Sequence, residues 1–255
     1  MIRIGFSGLV IAFAVTPARA QPVELEAAVE YFTWSEHSNG EQLLDEGGFR
    51  YAMAANYSRR GSNWIARARA KLFLGFVDYN GAIQNLVTGE TIPFEDSTNY
   101  YGGGLEAHAA HQSALGNRHL LEVGGGLGAD LWFRILAPGE PTGYTERWLP
   151  VFAILDATIR PARATGWIAR AGIKLPFVTF ESVHLEVAGF GSTDVSLRPK
   201  LRPSGFADFG YQVARSVGIV AYFDSYWFGE SNPDGVFLQP ESRSLQVGVR
   251  AGWTP

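Results

Sequence analysis

Residues 63–76 read NWIARARAKLFLGF. Three cations, Arg67, Arg69 and Lys71, recur at every second position. Trp64, Ala66, Ala68, Ala70, Leu72, Leu74 and Phe76 recur on the alternate ones. A helical period of 3.6 would scatter these cations around an axis; a period of two places them on one face of an extended strand. One face therefore meets a polar environment and the other an apolar one.

The same alternation runs through the chain. Val23, Leu25, Ala27, Val29 and Tyr31 alternate with Glu24, Glu26, Ala28 and Glu30. Phe49, Tyr51, Met53, Ala55 and Tyr57 alternate with Arg50, Ala52, Ala54 and Asn56. Seven further segments follow, near 98–112, 118–136, 146–160, 165–178, 202–214, 216–229 and 241–254. Strands of soluble proteins have a mode of about 5–6 residues, whereas these segments are mostly far longer. A strand that crosses a bilayer needs about 9–11 residues plus its ends. The connections near 59–62, 113–117, 161–164 and 215–216 are short. Those near 37–47, 80–97, 137–145, 179–201 and 230–240 are longer and polar. Short turns at one end and long loops at the other mark an all-β, transmembrane, antiparallel up-and-down β-barrel of about ten strands.

Composition narrows the function. The chain has 255 residues and no cysteine, which excludes disulfides and thiolate metal sites. A net charge of −4 speaks against nucleic acid as a partner. Arg3, the apolar run Ile4 to Val15 and Ala18-Arg19-Ala20 read as a cleaved signal peptide, 1–20, leaving 21–255 as the barrel. Export to the bacterial outer membrane is the expected destination.

Outward aromatics near the strand ends, namely Tyr31, Trp64, Tyr101, Phe133, Trp167, Phe177, Trp227 and Trp253, suit the two interfacial girdles. On these features residues 22–254 resemble bacterial outer-membrane β-barrel proteins as a class. Such proteins usually end on an aromatic residue; here Thr254 and Pro255 follow Trp253. Residues 64–72, WIARARAKL, also echo 167–175, WIARAGIKL, one recurring solution for a strand that starts at an interface.

With the apolar face to lipid, the inward set is Glu24, Glu26, Glu30, Arg50, Arg67, Arg69, Lys71, Glu106, His108, Glu122, Asp130, Arg134, Asp156, Arg160, Arg170, Lys174, Asp208, Asp224 and Arg250. Charges of both signs in a narrow lumen are tolerable when paired. A plugged lumen of ion pairs is expected, with a structural role or passage of small solutes. Gly102, Gly104, Gly124, Gly126 and Gly128 also face inward. A turn centred on Ala114-Leu115-Gly116 would set 104 opposite 126 and His108 opposite Glu122. That arrangement makes either a bare wall for long side chains or the lining of a small cavity.

The same residues bear on enzymatic alternatives. Omptin proteases resemble this chain in strand number, and the resemblance implies an Asp–His pair and a second acidic pair at the outer rim. His184 lies in FESVHLE without that spacing, and His37 is the other outer histidine. A lipid-modifying enzyme would need Ser and His together; His111 and His119 lie near Ser113 without a third group. They also make an incomplete metal site, so no metal and no cofactor is expected. The acids Glu36, Glu41, Asp45, Glu46, Glu90, Glu95, Asp96, Glu140, Glu181, Glu186, Glu230 and Asp234 read as solvated loop residues. Arg198, Lys200 and Arg202 form a basic cluster suited to lipopolysaccharide phosphates. Outer-membrane lipid and small solutes are thus the expected partners.

Overall fold

The structure is a computed structural model that describes residues 23–84, 91–136, 144–187, 191–214, 216–234 and 237–255. The proposed signal peptide lies outside the described residues, as do Glu90 and Glu140. Twelve strand segments follow one another: β1 (Glu24–Ser38), β2 (Glu41–Arg60), β3 (Trp64–Gln84), β4 (Thr91–Leu115), β5 (His119–Leu136), β6 (Tyr144–Pro161), β7 (Gly166–Val187), β8 (Gly191–Leu197), β9 (Lys200–Leu201), β10 (Ser204–Ala214), β11 (Val217–Gly229) and β12 (Glu241–Trp253). Each pairs antiparallel with its neighbours. β1 closes the sheet on β12 from Leu25↔Trp253 to His37↔Glu241. Segments β8, β9 and β10 are pieces of one stave, since β8 and β10 both pair with β7, while β9 and β10 pair with β11. Pro199 and Pro203 flank the breaks, where a residue without an N–H interrupts a ladder. Ten staves thus form a closed up-and-down barrel.

The outward face carries an apolar band. Met53, Leu72 and Leu105 are exposed to 70%, 70% and 67%, values that only a lipid surround makes favourable. On β3 the band runs from Trp64 to Phe76. With a rise of about 3.3 Å per residue and a tilt near 40°, this is roughly 30 Å, close to the band of about 25 Å of membrane barrels. Above Tyr31, Phe76 and Tyr101 the outward residues turn polar: Thr33, Ser35 and His37, Asp78 and Asn80, then Asn99, Ser97 and Glu95. The strands therefore continue past the hydrocarbon layer at the end opposite the short turns.

Several sequence expectations change here, and β3 and β4 run through much of the loop expected over 80–97. The loop expected over 37–47 is a tight hairpin, with Asn39 and Gly40 at φ 52° and 85°. Asn-Gly suits a two-residue turn with both central residues at positive φ, and β1 and β2 run on through the polar stretch. The turn between β4 and β5 lies two residues further along, with Gly116 at φ 65°. Gly104 consequently faces Asp130 and Gly102 faces Trp132, and His108 faces Gly126 rather than Glu122. Finally, a bulge on β7 at the Val151/Phe152 register shift makes Phe177 an extra outward residue. Beyond it Thr179, Glu181 and Val183 point inward and Phe180, Ser182 and His184 outward.

Candidate functional site

The lumen is the candidate site, and it is filled in layers. The outermost is a charge cluster above the apolar band. Arg134 on β5 projects inward and meets carboxylates from three other staves. Its Nη1 donates to Glu146 at 2.6 Å and to Glu36 at 3.3 Å, and its Nη2 to Glu46 at 2.9 Å. Every partner is itself fixed. Trp34 Nε1 donates to Glu36 at 2.9 Å and Trp148 Nε1 to Glu146 at 2.8 Å. Thr98 donates to Glu46 at 2.7 Å, Tyr100 does likewise, and Tyr144 donates to Glu146 at 2.6 Å. A fourth carboxylate, Glu181, is 2% exposed, and neither of its oxygens has a hydrogen-bond partner among the described residues. Burial, with the nearby Glu146 and Glu36 charges adding to it, pushes the Glu181 carboxyl up to about 10. Burial is also the main cause that raises Glu36, to about 7, against the pull of Arg134.

Beneath this cluster lies an aromatic layer. Trp34 from β1, Trp132 from β5, Trp148 from β6 and Phe228 from β11 meet across the lumen. Ring centroids are 5.2 Å apart for Trp34–Trp148, 5.9 Å for Trp132–Trp148 and 4.9 Å for Trp148–Phe228. Phe32, Tyr100, Phe152 and Tyr226 extend the layer. Rings at such centroid spacings attract one another beyond their buried area. Since the contributing staves lie on different walls, the layer spans the bore. The loop between β11 and β12 adds a cover: Phe237 packs on Val183, Val195 and Leu197.

Lower down the pairs are the ones whose members alternate in the sequence. Glu30 accepts from Arg50 Nε at 2.9 Å, lies 3.4 Å from Lys71 Nζ, and accepts from the Tyr222 hydroxyl. Lys174 donates to Asp224 at 2.7 Å and to Tyr226 at 2.9 Å, and the Tyr226 hydroxyl donates to Asp130. These groups surround a cavity of about 100 Å³ that Glu106 also lines. Toward the short-turn end, Arg69 reaches Glu26 at 2.6 Å, Arg250 reaches Asp208 at 2.8 Å and Arg170 reaches Asp156 at 2.6 Å. Asp156, not Glu122, is the partner of His108, at 3.0 Å. Glu122 instead takes Arg67, Arg160 and, at 2.8 Å, Gln112. A wider vestibule of about 740 Å³ opens here, with Glu24 on its wall.

Most of the glycine positions make room for neighbouring groups. A Cβ at Gly102 would lie 2.7 Å from Trp132 Cβ and one at Gly128 2.5 Å from Phe152 Cε2. At Gly124 and Gly126 it would strike the backbone of β4. These positions let aromatic rings and the neighbouring strand approach; Gly104 alone lines the small cavity. Glu36, Glu46 and Glu181, expected as solvated loop acids, are buried inward residues. The signal was present, because Glu30, Phe32, Trp34 and Glu36 continue one period of two. The inward aromatics Trp34, Trp132, Trp148 and Phe228 were missed for the same reason.

The outer-wall residues stand apart from this lumen. His184 Nδ1 lies 2.7 Å from Asp194 Oδ1 on β8, with both side chains exposed on the outer wall. Arg198 lies over the Phe180 ring at 5.6 Å and Arg202 reaches Glu241 at 3.2 Å, while Lys200 sits in β9. Among the described residues no group of three His, Asp or Glu side chains is placed to hold a metal ion.

No protein-family model matches the chain. No curated protein matches it either. Among solved structures it is similar to the outer membrane protease OmpT from Escherichia coli, with TM-score 0.58 and 10% identity over 92% of this chain and 97% of that one. The translocator domain of the autotransporter NalP from Neisseria meningitidis gives TM-score 0.37 and 12% identity, over 93% and 90%. The attachment invasion locus protein Ail of Yersinia pestis gives 0.32 and 8%, over 91% and 100%. At such identities the likeness is one of fold: this chain has the fold of outer-membrane β-barrel proteins.

Proposed function

We propose that this chain is an integral outer-membrane barrel with a structural role, closed to solute flow in its outer half. The observation that carries this reading is the aromatic layer of Trp34, Trp132, Trp148 and Phe228 beneath the Arg134 cluster. Packed rings and a buried multidentate guanidinium fill the lumen at that level, and moving them costs buried area and ion pairs together. The fold likeness and the apolar band support the outer membrane as its place, with the short turns in the periplasm. Lipid then covers the band, and Arg198, Lys200 and Arg202 meet lipopolysaccharide phosphates at the outer rim. The leader 1–20 is removed on export, so the mature chain starts at Gln21.

Refolded protein in planar bilayers tests the closed lumen. Silent membranes are expected, and simultaneous Trp148→Ala and Arg134→Ala replacement is expected to give conductance steps. Reproducible steps from the unaltered protein would favour the alternative, a narrow passage for small solutes. A rim hydrolase is the second reading, favoured by the His184–Asp194 contact. It predicts turnover of a quenched peptide or lipid substrate that His184→Ala abolishes. The pair faces away from the buried acids of the lumen.

A further inference from the structure

The vestibule at the short-turn end is unlike the rest of the lumen. About 740 Å³ in volume, it falls within the range of small-molecule sites, about 300–1,000 Å³. Seven arginines line it with four carboxylates, and Glu122 and Asp156, just outside the lining, pair with three of those arginines. The pairing is not even. Arg69, Arg170 and Arg250 are matched by Glu26, Asp156 and Asp208. By contrast a single carboxylate, Glu122, is 1% exposed and serves both Arg67 and Arg160. Arg60, at the end of β2, lies within the electrostatic reach of Arg67, Arg160 and Glu122 and has no ion-pair partner among the described residues. Arg163, in the turn after β6, lines the same space and likewise lacks one. One Nη of Arg160 is buried without an acceptor among the described residues.

We propose that this vestibule is a binding site for a multiply charged phosphorylated solute drawn from the periplasm. Arg67, Arg160 and Arg60 around one buried carboxylate, with Arg163 lining the same space, leave unspent donor capacity in the vestibule. Guanidinium is the side chain whose planar fork matches phosphate oxygens two at a time. Like charges held this close repel, and an anion between them removes the repulsion. The ligand enters from the short-turn side, because the aromatic layer closes the other end. Glu24 and Glu106 line the vestibule without ion pairs among the described residues and set a limit on the charge attracted, so a compact anion that seats against Arg60 and Arg160 is favoured over an extended one.

Isothermal titration of the refolded protein in neutral detergent with pyrophosphate, at low ionic strength, tests the site. Saturable binding at one site is expected, weakened at least tenfold in an Arg60→Gln/Arg163→Gln variant. These two residues carry no ion pair among the described residues, so the variant keeps the fold, checked by its heat-modifiable gel mobility. Raising the salt weakens binding as exposed charges are screened. Absence of saturable heat, or an affinity indifferent to the two substitutions, overturns the proposal. Tighter binding of phosphatidylglycerol micelles than of pyrophosphate, lost in the same variant, also overturns it by assigning the arginines to a lipid headgroup.

Discussion

Arg134 Nη1 on β5 donates to Glu146 Oε1 on β6 at 2.6 Å, and both residues are essentially inaccessible to solvent. The pair is next to the ladder position where Phe133 faces Arg147, at the upper edge of the apolar band. The outermost buried charges therefore sit where the lipid-facing band ends. Glu36 and Glu46 share the same guanidinium, so its loss leaves three carboxylates buried together.

Arg134→Met is expected to destabilise the barrel by about 3–5 kcal/mol, the usual cost of removing one partner from a buried charge group. Adding Glu46→Gln and Glu146→Gln should restore part of this loss, because neutral amides remove the repulsion. Denaturant unfolding in detergent reads both effects. A single-variant change of less than about 0.5 kcal/mol would falsify the view that the cluster holds the outer lumen together.

The outer lumen should weaken as pH rises. Glu36 and Glu181 have folded values raised by burial, to about 7 and about 10, above the ordinary 4.5. The folded state thus holds protons that the unfolded state has released, and stability falls with pH while that difference persists. The decline begins near pH 4.5, eases past pH 7 as Glu36 ionises, and ends near pH 10. Unfolding midpoints at pH 5 and pH 9 check the sign, and Glu181→Gln should flatten the slope. A rise in stability over that interval would reverse the assignment.

Leu72→Lys places a charge in the apolar band of β3. It is expected to cost about 2–4 kcal/mol in lipid if Leu72 lies near the midplane. On a water-facing wall the same change would fall within about ±0.5 kcal/mol. Equal stability of the two proteins in lipid vesicles would remove the membrane reading of this face.

Gly102→Ala is expected to cost about 1–3 kcal/mol through overpacking, since its Cβ meets Trp132 at 2.7 Å and Phe73 at 2.8 Å. Gly104→Ala should differ in kind. Its new methyl points toward Asp130, a side chain able to rotate into the adjoining cavity, so the loss should be smaller. Paired unfolding curves separate the two, and equal losses would argue that both glycines face open space.

The stave pattern was legible because a barrel wall obeys one local rule. Arg67, Arg69 and Lys71 had to share a face whatever their partners, and Trp64 and Phe76 had to end the lipid face. Parity also held for Glu36 and Glu46, yet their polar neighbours Thr33, Ser35 and Asp45 looked like loop. That polar run marks the height at which the outward face leaves lipid while the inward face stays buried. His108 illustrates the other gap. Its inward direction followed from parity, but its partner depended on a turn placed two residues along and on a third strand, and so fell to Asp156 rather than Glu122.

The sequence alone determined the strand class, the sidedness of nearly every residue and the apolar band, because each depends on a period of two and on the medium each face meets. Only the tertiary structure decided what the inward residues do to one another. Trp34, Trp148 and Phe228 lie far apart in the chain and meet only when ten staves close. Glu181 lost its solvent only because a bulge turned it inward beneath the covering loop. Closure of the barrel is a non-local event, and the plug, the unpaired carboxylate and the arginine-rich vestibule are its products.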